Sequence, residues 1–221
     1  SLASCVESLH NASLVQDDFQ DQDLQRRNAP TVVALYGPNV ALGLVNRLIS
    51  TSYVCLQRGS FSLSLGPMLQ CIHEAIRTTV HGQTLDLEKT DACSCEELQS
   101  IARQKSGPLF ALALELPMTA AGTMEFLPQA HEAACHFGLG YQILDDLKDS
   151  QKDILQDSDS NIVNALTHNS DYEWAKSQAQ DLARIELQAA IDLASTFPQS
   201  SGDALRSMAS TMLEQLKDCH E

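Results

Sequence analysis

Tyr141-Gln142-Ile143-Leu144-Asp145-Asp146-Leu147-Lys148-Asp149 sets three carboxylates within five residues at the end of an apolar run. One helical residue turns the chain by about 100°, so Asp145 and Asp149 lie one turn apart on one face, with Asp146 beside them. Near the start of the chain, Asp17-Asp18-Phe19-Gln20-Asp21 repeats the pattern. Three carboxylates this close repel one another unless something positive sits among them. Hard cations such as Mg²⁺ take oxygen ligands, keep several waters and bridge carboxylates to phosphate oxygens. A single acidic triplet is ordinarily a solvated helix face. Two matched triplets, each after an apolar run, point to metal binding. The expectation is that the clusters face each other across a cavity, with Asp17, Asp18, Asp21, Asp145, Asp146 and Asp149 around magnesium.

The periodicity outward from these clusters is helical throughout. Leu2, Val6 and Leu9 open a helix with Ser1 as its only possible cap, and Ser13 and Asp17 continue the same face. This helix is expected to pass Asp21 and stop before Asn28-Ala29-Pro30. Pro38 at a first turn predicts a second helix to about Arg58, and a third covers about Pro67–Leu87. Glu88–Cys93 reads as a polar loop. Ser94, with Glu97 three residues on, forms a capping box for a helix over Cys95–Lys105. Gly107-Pro108 then starts a short apolar helix that Pro117 ends. A long helix runs from about Glu125 to Lys148, and Ser150–Ser160 reads as a mobile loop. Helices over Asp171–Ser195 and Ser201–Cys219 close the chain. No strand pattern is evident, so the class is all-α, a helical bundle in a single domain over residues 1–221.

The composition narrows the function. With 14 Lys+Arg against 29 Asp+Glu, the formal charge is -15, which argues against a nucleic-acid partner. An anionic ligand stays compatible if a divalent metal stands between. The seven cysteines are scattered, so they read as free thiols of a reducing compartment. No apolar run reaches the ~18–20 residues of a membrane span, and the expected location is cytoplasmic. Arg26 and Arg27, just after Asp21, have the forked donors that clamp phosphate oxygens. Lys105 could serve as a point charge, although a lysine near a helix C-terminus is also favoured by the macrodipole.

Residues His10–Gly37 (HNASLVQDDFQDQDLQRRNAPTVVALYG) resemble the first aspartate-rich motif of the trans-isoprenyl diphosphate synthases. Gly140–Asp149 (GYQILDDLKD) is similar to their second motif, with Tyr141 in the aromatic place. Gly82–Leu87 (GQTLDL) and Lys105–Gly107 (KSG) match two further signatures in the right order. The resemblance implies an isoprenoid synthase-type bundle around a deep central cavity, usually as a homodimer. It implies Mg²⁺-dependent joining of an allylic prenyl diphosphate to isopentenyl diphosphate. Asp17, Asp21 and Asp145 would be the main metal ligands, supported by Asp18, Asp146 and Asp149. Arg26 would grip the allylic diphosphate and Arg27 the isopentenyl diphosphate. Lys105, Ser106 and Gln142 would assist at the allylic site, which Gln83 and Asp86 would line. Small Ala12 and Ser13, one turn before Asp17, would leave a tunnel open for a product of twenty carbons or more. Leu9, a turn further down, would narrow it.

The chain also departs from the family pattern. The family carries lysine- and arginine-bearing helices before its first aspartate motif, and this sequence opens directly in a helix, so the N-terminal part of the fold is expected to be absent: either the chain is a piece of a longer protein, which the abrupt start favours, or it is a truncated relative with an impaired isopentenyl diphosphate site. The stretch after Asp149 carries Lys152 but no Gly-Lys pair. Two rival readings are a non-catalytic partner subunit and a terpene cyclase-like lyase. Retention of both aspartate motifs speaks against the first, and the presence of Arg27 and Gln142 against the second.

Overall fold

A computed structural model describes residues 1–59, 61, 64–89, 93–155, 161–167 and 171–218, with backbone alone over 149–155 and 217–218. The chain forms two compact units, Ser1–Met68 and Leu69–Glu221.

In the first unit, α1 (Leu2–Gln20) packs on α3 (Pro38–Gln57). Their contact is made by Ala12, Val15, Ala41 and Val45, with Phe19, Leu44 and Leu48 at its edge. Helix α1 stops short of its expected end. Asp21 still donates its N–H to Asp17 O, but Gln22 has φ +59°, which turns the chain out of the helix. Between the helices lies an unforeseen hairpin, β1 (Gln25–Arg26) against β2 (Ala29–Pro30). Arg27 and Asn28 both take positive φ, the signature of a two-residue type I′ turn. A strand pair this short has no alternation to read. Thr31 then fastens the hairpin to a short helix α2 (Val32–Tyr36): its hydroxyl donates to Asp23 O at 2.7 Å and accepts from Ala34 N. Gly37, at φ +82°, separates α2 from Pro38 at the first turn of α3.

Helix α4 (Leu65–Glu88) leads into the second unit. The expected loop after it is described only at Lys89 and Cys93, with residues 90–92 outside the described set. The Ser94–Glu97 capping box is present. The two helices expected beyond it are one, α5 (Cys95–Ala121), running through Pro108 and Pro117. A proline inside a helix costs about 3 kcal/mol. Each large apolar side chain buried returns about 1.5–3 kcal/mol. Leu112, Leu114, Leu116 and Met118 are all buried on this stretch, so packing outweighs the local penalty. Gly107 is a packing site rather than a stop: a Cβ there would lie 2.8 Å from Cys135 Sγ. The helix ends at Gly122, in the left-handed region, with Thr123 N–H bonded back to Met118 O.

Helix α6 (Leu127–Leu155) starts two residues later than expected and continues past Lys148 through Asp149. The anticipated loop at Ser150 is therefore helical to Leu155, and its remainder, residues 156–160, lies outside the described residues. A short α7 (Ile162–Thr167) was not foreseen. Helices α8 (Tyr172–Ala194), capped by Asp171, and α9 (Asp203–Asp218) match the expected pair. Phe137, Leu139, Ile143 and Leu144 of α6 share a core with Ala179, Ala183, Leu187 and Ala190 of α8. The alanine row lets the two helices approach closely. The six cysteines among the described residues are free thiols, and no described helix is long and apolar enough to cross a membrane.

Candidate functional site

The two acidic clusters are built alike within their own units. In the first, Asp18 is only 4% exposed and takes a 2.7 Å hydrogen bond from Arg26 Nε. Asp17 is half-buried and Asp21 exposed at the helix end. The hairpin that halts α1 is what carries Arg26 back to Asp18. Arg27 sits at the exposed tip of its turn. In the second cluster the middle carboxylate is again the one held by protein. Asp146 Oδ1 accepts from the Gln142 amide at 3.1 Å, and Oδ2 accepts from Ile162 N–H at 2.9 Å. Burial pushes the Asp146 carboxyl up to about 6, against the opposing pull of the Ile162 N–H, the Gln142 amide and the Lys89 ammonium. Asp145 is exposed beside it. Asp149 follows one turn on in the same helix, its side chain outside the described residues.

Among the described residues, no three carboxylate, imidazole or thiol groups converge to cage a metal unaided. Magnesium does not require such a cage, because it keeps waters and is held by one or two carboxylates together with substrate phosphates. The donor chemistry fits: each cluster presents oxygen ligands on a helix, with its central carboxylate steadied by a neighbour.

In the second unit, α4 and α5 bring three charged groups together. Gly82 makes this possible, since a Cβ there would lie 2.5 Å from Lys105 N and 2.6 Å from Gln104 C. Asp86 accepts from Lys105 Nζ at 2.8 Å on one oxygen and from Lys89 Nζ at 2.5 Å on the other. Burial alone would raise Asp86, but the charge and hydrogen bond of Lys105, then those of Lys89, hold its carboxyl below the ordinary value. These groups line a cavity of about 180 Å³ with Gln142, Asp146, Asn161 and Ile162. Leu98, Ile101 and Ala102 form its apolar wall. Gln83, three residues before Asp86, is 3% exposed, and neither amide atom has a hydrogen-bond partner among the described residues. An orphaned buried amide costs about 1–3 kcal/mol and is expected where a ligand or water completes it. Ser106 is half-buried next to Lys105.

The sequence reading missed Lys89, Asn161 and the Ile162 N–H. Lys89 was assigned to a loop, although its position three residues after Asp86 permits a pair on a helix that reaches Glu88. Of the tunnel residues, Leu9 and Ala12 are buried, and Ala12 packs against Ala41 and Val45 of α3. Ser13 is half-buried and donates its hydroxyl to His10 O.

Residues 1–164 match the family model described as Polyprenyl synthetase. The (2E,6E)-farnesyl diphosphate synthase of Mycobacterium tuberculosis is 35% identical over 148 residues, 66% of this chain and 41% of that protein. The chain thus spans less than half of that curated relative. Geranylgeranyl pyrophosphate synthetase from Pyrococcus horikoshii matches with a TM-score of 0.85 and 22% identity, over 95% of this chain and 77% of that one. The geranyltransferase from Helicobacter pylori complexed with magnesium and isoprenyl diphosphate matches at 0.77 and 24%, over 96% and 74%. At these identities the two structures speak for a shared all-α fold.

Proposed function

The chain belongs to the polyprenyl synthetase family, with its isoprenoid synthase-type helical fold, and we propose that it joins an allylic prenyl diphosphate to isopentenyl diphosphate. The product would be a longer trans-prenyl diphosphate. The observation that carries this reading is the cavity of the second unit, where Lys105, Asp86, Gln142 and Asp146 line one space. They come from three separate stretches, Gly82–Leu87, Lys105–Gly107 and Gly140–Asp149, that the family resemblance connects.

Asp17 and Asp21 in the first unit and Asp145 and Asp149 in the second are the proposed magnesium ligands. Asp18 and Asp146, each held by a protein partner, keep their helices' carboxylates in position. Magnesium, when bound, neutralises charge on the allylic diphosphate and makes it a competent leaving group. Lys105 adds a fixed positive charge beside the same cavity, where a low dielectric strengthens it. Ser106 and the Gln83 amide supply hydrogen-bonding groups near the allylic site. Arg26 has two roles in this reading, as counter-ion to Asp18 and as a contact for the allylic diphosphate. Arg27 is assigned to the isopentenyl diphosphate. The apolar wall of Leu98, Ile101 and Ala102 limits water around a cationic intermediate. A homodimer, by family likeness, and a cytoplasmic location, from the scattered free thiols, remain part of the proposal.

A product of twenty carbons or more is proposed from the small residues before Asp17. Ser13 is the better handle, because Ala12 is occupied by packing on α3. The test is incubation of the full-length gene product with geranyl or farnesyl diphosphate, radiolabelled isopentenyl diphosphate and Mg²⁺, with product length read out. Label is expected in the organic phase, lost on chelation and in Asp17→Asn. Ser13→Phe should shorten the product. Absence of label with both primers overturns the activity; an unchanged length in Ser13→Phe overturns the tunnel assignment.

A further inference from the structure

Glu186 of α8 is only 6% exposed, and both of its carboxylate oxygens are taken up. Oε1 accepts from Arg103 Nη2 at 2.7 Å. Oε2 accepts from the same nitrogen at 2.7 Å and from His136 Nδ1 at 2.7 Å. Arg103 and His136 are half-buried. The three residues come from α5, α6 and α8, and the proposed reaction uses none of them. A buried ion pair is weak ground for stability, because apolar side chains of similar volume often do as well. What it supplies is direction, since a guanidinium and a carboxylate bond only in a fixed orientation.

Direction is what the neighbouring contacts lack. Helices α5 and α8 both pack on α6, and glycine lies at each crossing. A Cβ at Gly138 would lie 3.0 Å from Gly107 N, and one at Gly140 would lie 2.7 Å from Leu187 Cγ. Such contacts set how near the helices come, but a glycine face has no side chain to resist rotation. Arg103 stands one turn before Gly107, His136 two residues before Gly138, and Glu186 next to Leu187. Arg103 and Lys105 are about 200° apart around α5, so the ion cluster grips the face of α5 opposite Lys105. With side chains about 5–6 Å from the helix axis, a turn of about 10° would carry Lys105 by about 1 Å. That is enough to take its 2.8 Å contact with Asp86 out of hydrogen-bonding range.

We infer that Glu186 is a positioning residue: through Arg103 and His136 it fixes the rotation of α5 against α6, and so the placement of Lys105 on Asp86. That Lys105 then meets an allylic diphosphate rests on the reading above; its placement does not.

The test is a double-mutant cycle in the full-length protein. Lys105→Met and Asp86→Asn, singly and together, are measured by urea unfolding in the wild-type and Glu186→Gln backgrounds. A general loss of stability cancels in the cycle, so a merely structural role leaves the coupling unmoved. The coupling should be present in the wild type and largely lost in Glu186→Gln, whose amide no longer accepts on both atoms. If Glu186→Gln does not fold, the triple variant Arg103→Met, His136→Leu, Glu186→Met fills the same space with apolar groups. It should keep the stability and lose the coupling. Arg206→Met, which breaks an exposed pair with Asp203 on α9, should leave the coupling intact. The allylic KM should rise about tenfold in Glu186→Gln, the loss of one charge-assisted hydrogen bond, with the isopentenyl KM unchanged. No coupling in the wild type, or coupling of wild-type size in either Glu186 background, overturns the inference. Loss of the coupling in a protein that transfers no prenyl group supports the positioning role and overturns the proposed reaction.

Discussion

Replacing Gly82 by alanine tests how α4 and α5 bring the charged residues together. The new Cβ would lie 2.5 Å from Lys105 N, against an ordinary contact of at least 3.4 Å, so the helices must part locally by about 0.9 Å. The obstacle is backbone, which cannot swing aside as a side chain does. Overpacking of this kind costs about 1–3 kcal/mol, while alanine in place of glycine inside a helix returns about 1 kcal/mol. Gly43 in α3 is the control, because a Cβ there meets nothing within 4 Å. Gly43→Ala should therefore stabilise by up to about 1 kcal/mol, and Gly82→Ala should be less stable than it by about 1–3 kcal/mol. Urea unfolding followed by circular dichroism measures the difference. The same displacement is enough to stretch the 2.8 Å Lys105–Asp86 contact out of hydrogen-bonding range, so the allylic KM should rise in Gly82→Ala alone. Equal stability changes in the two variants would refute the close approach of α4 and α5.

Arg26→Met should cost about 2–3 kcal/mol in urea unfolding, because it leaves the Asp18 carboxylate buried without its ion partner. Adding Asp18→Asn should recover most of that loss; a double variant as unstable as the single one would disprove the pairing. The Asp86 carboxyl is held below its ordinary value of 3.8, so its stabilising contribution is present above that value and lost as pH falls through the lower, folded-state value. Asp86→Asn should flatten this acid limb in a pH series of thermal unfolding. An identical pH dependence in the variant would show that the lysine pair contributes nothing there.

Much of the candidate site was legible because its information is local. Asp17 and Asp21, or Asp145 and Asp149, share a helix face by spacing alone. The Ser94–Glu97 box marks a helix start through bonds that span three residues. The all-α class followed from periodicity that needs no distant partner. What escaped involves residues far apart in sequence or contests between local preference and burial. Pro108 and Pro117 read as breaks, yet the apolar residues around them keep α5 continuous. The β1–β2 hairpin is too short to carry a pattern, and it brings Arg26 to Asp18, a pairing that spacing along the chain did not show.

The sequence by itself determined that matched carboxylates share a helix face, since D-D-x-x-D spacing and helix geometry place them within one turn. Only the tertiary structure decided the work of each. It assigned Asp18 to Arg26 and Asp146 to Gln142 and Ile162, leaving Asp17, Asp21 and Asp145 less enclosed. It turned Gly82 into the point where α4 nears α5, and it drew Lys89 from an apparent loop into a charged cavity. The physical reason is that burial and ion pairing depend on which helices pack together. A pattern confined to one helix does not contain that information.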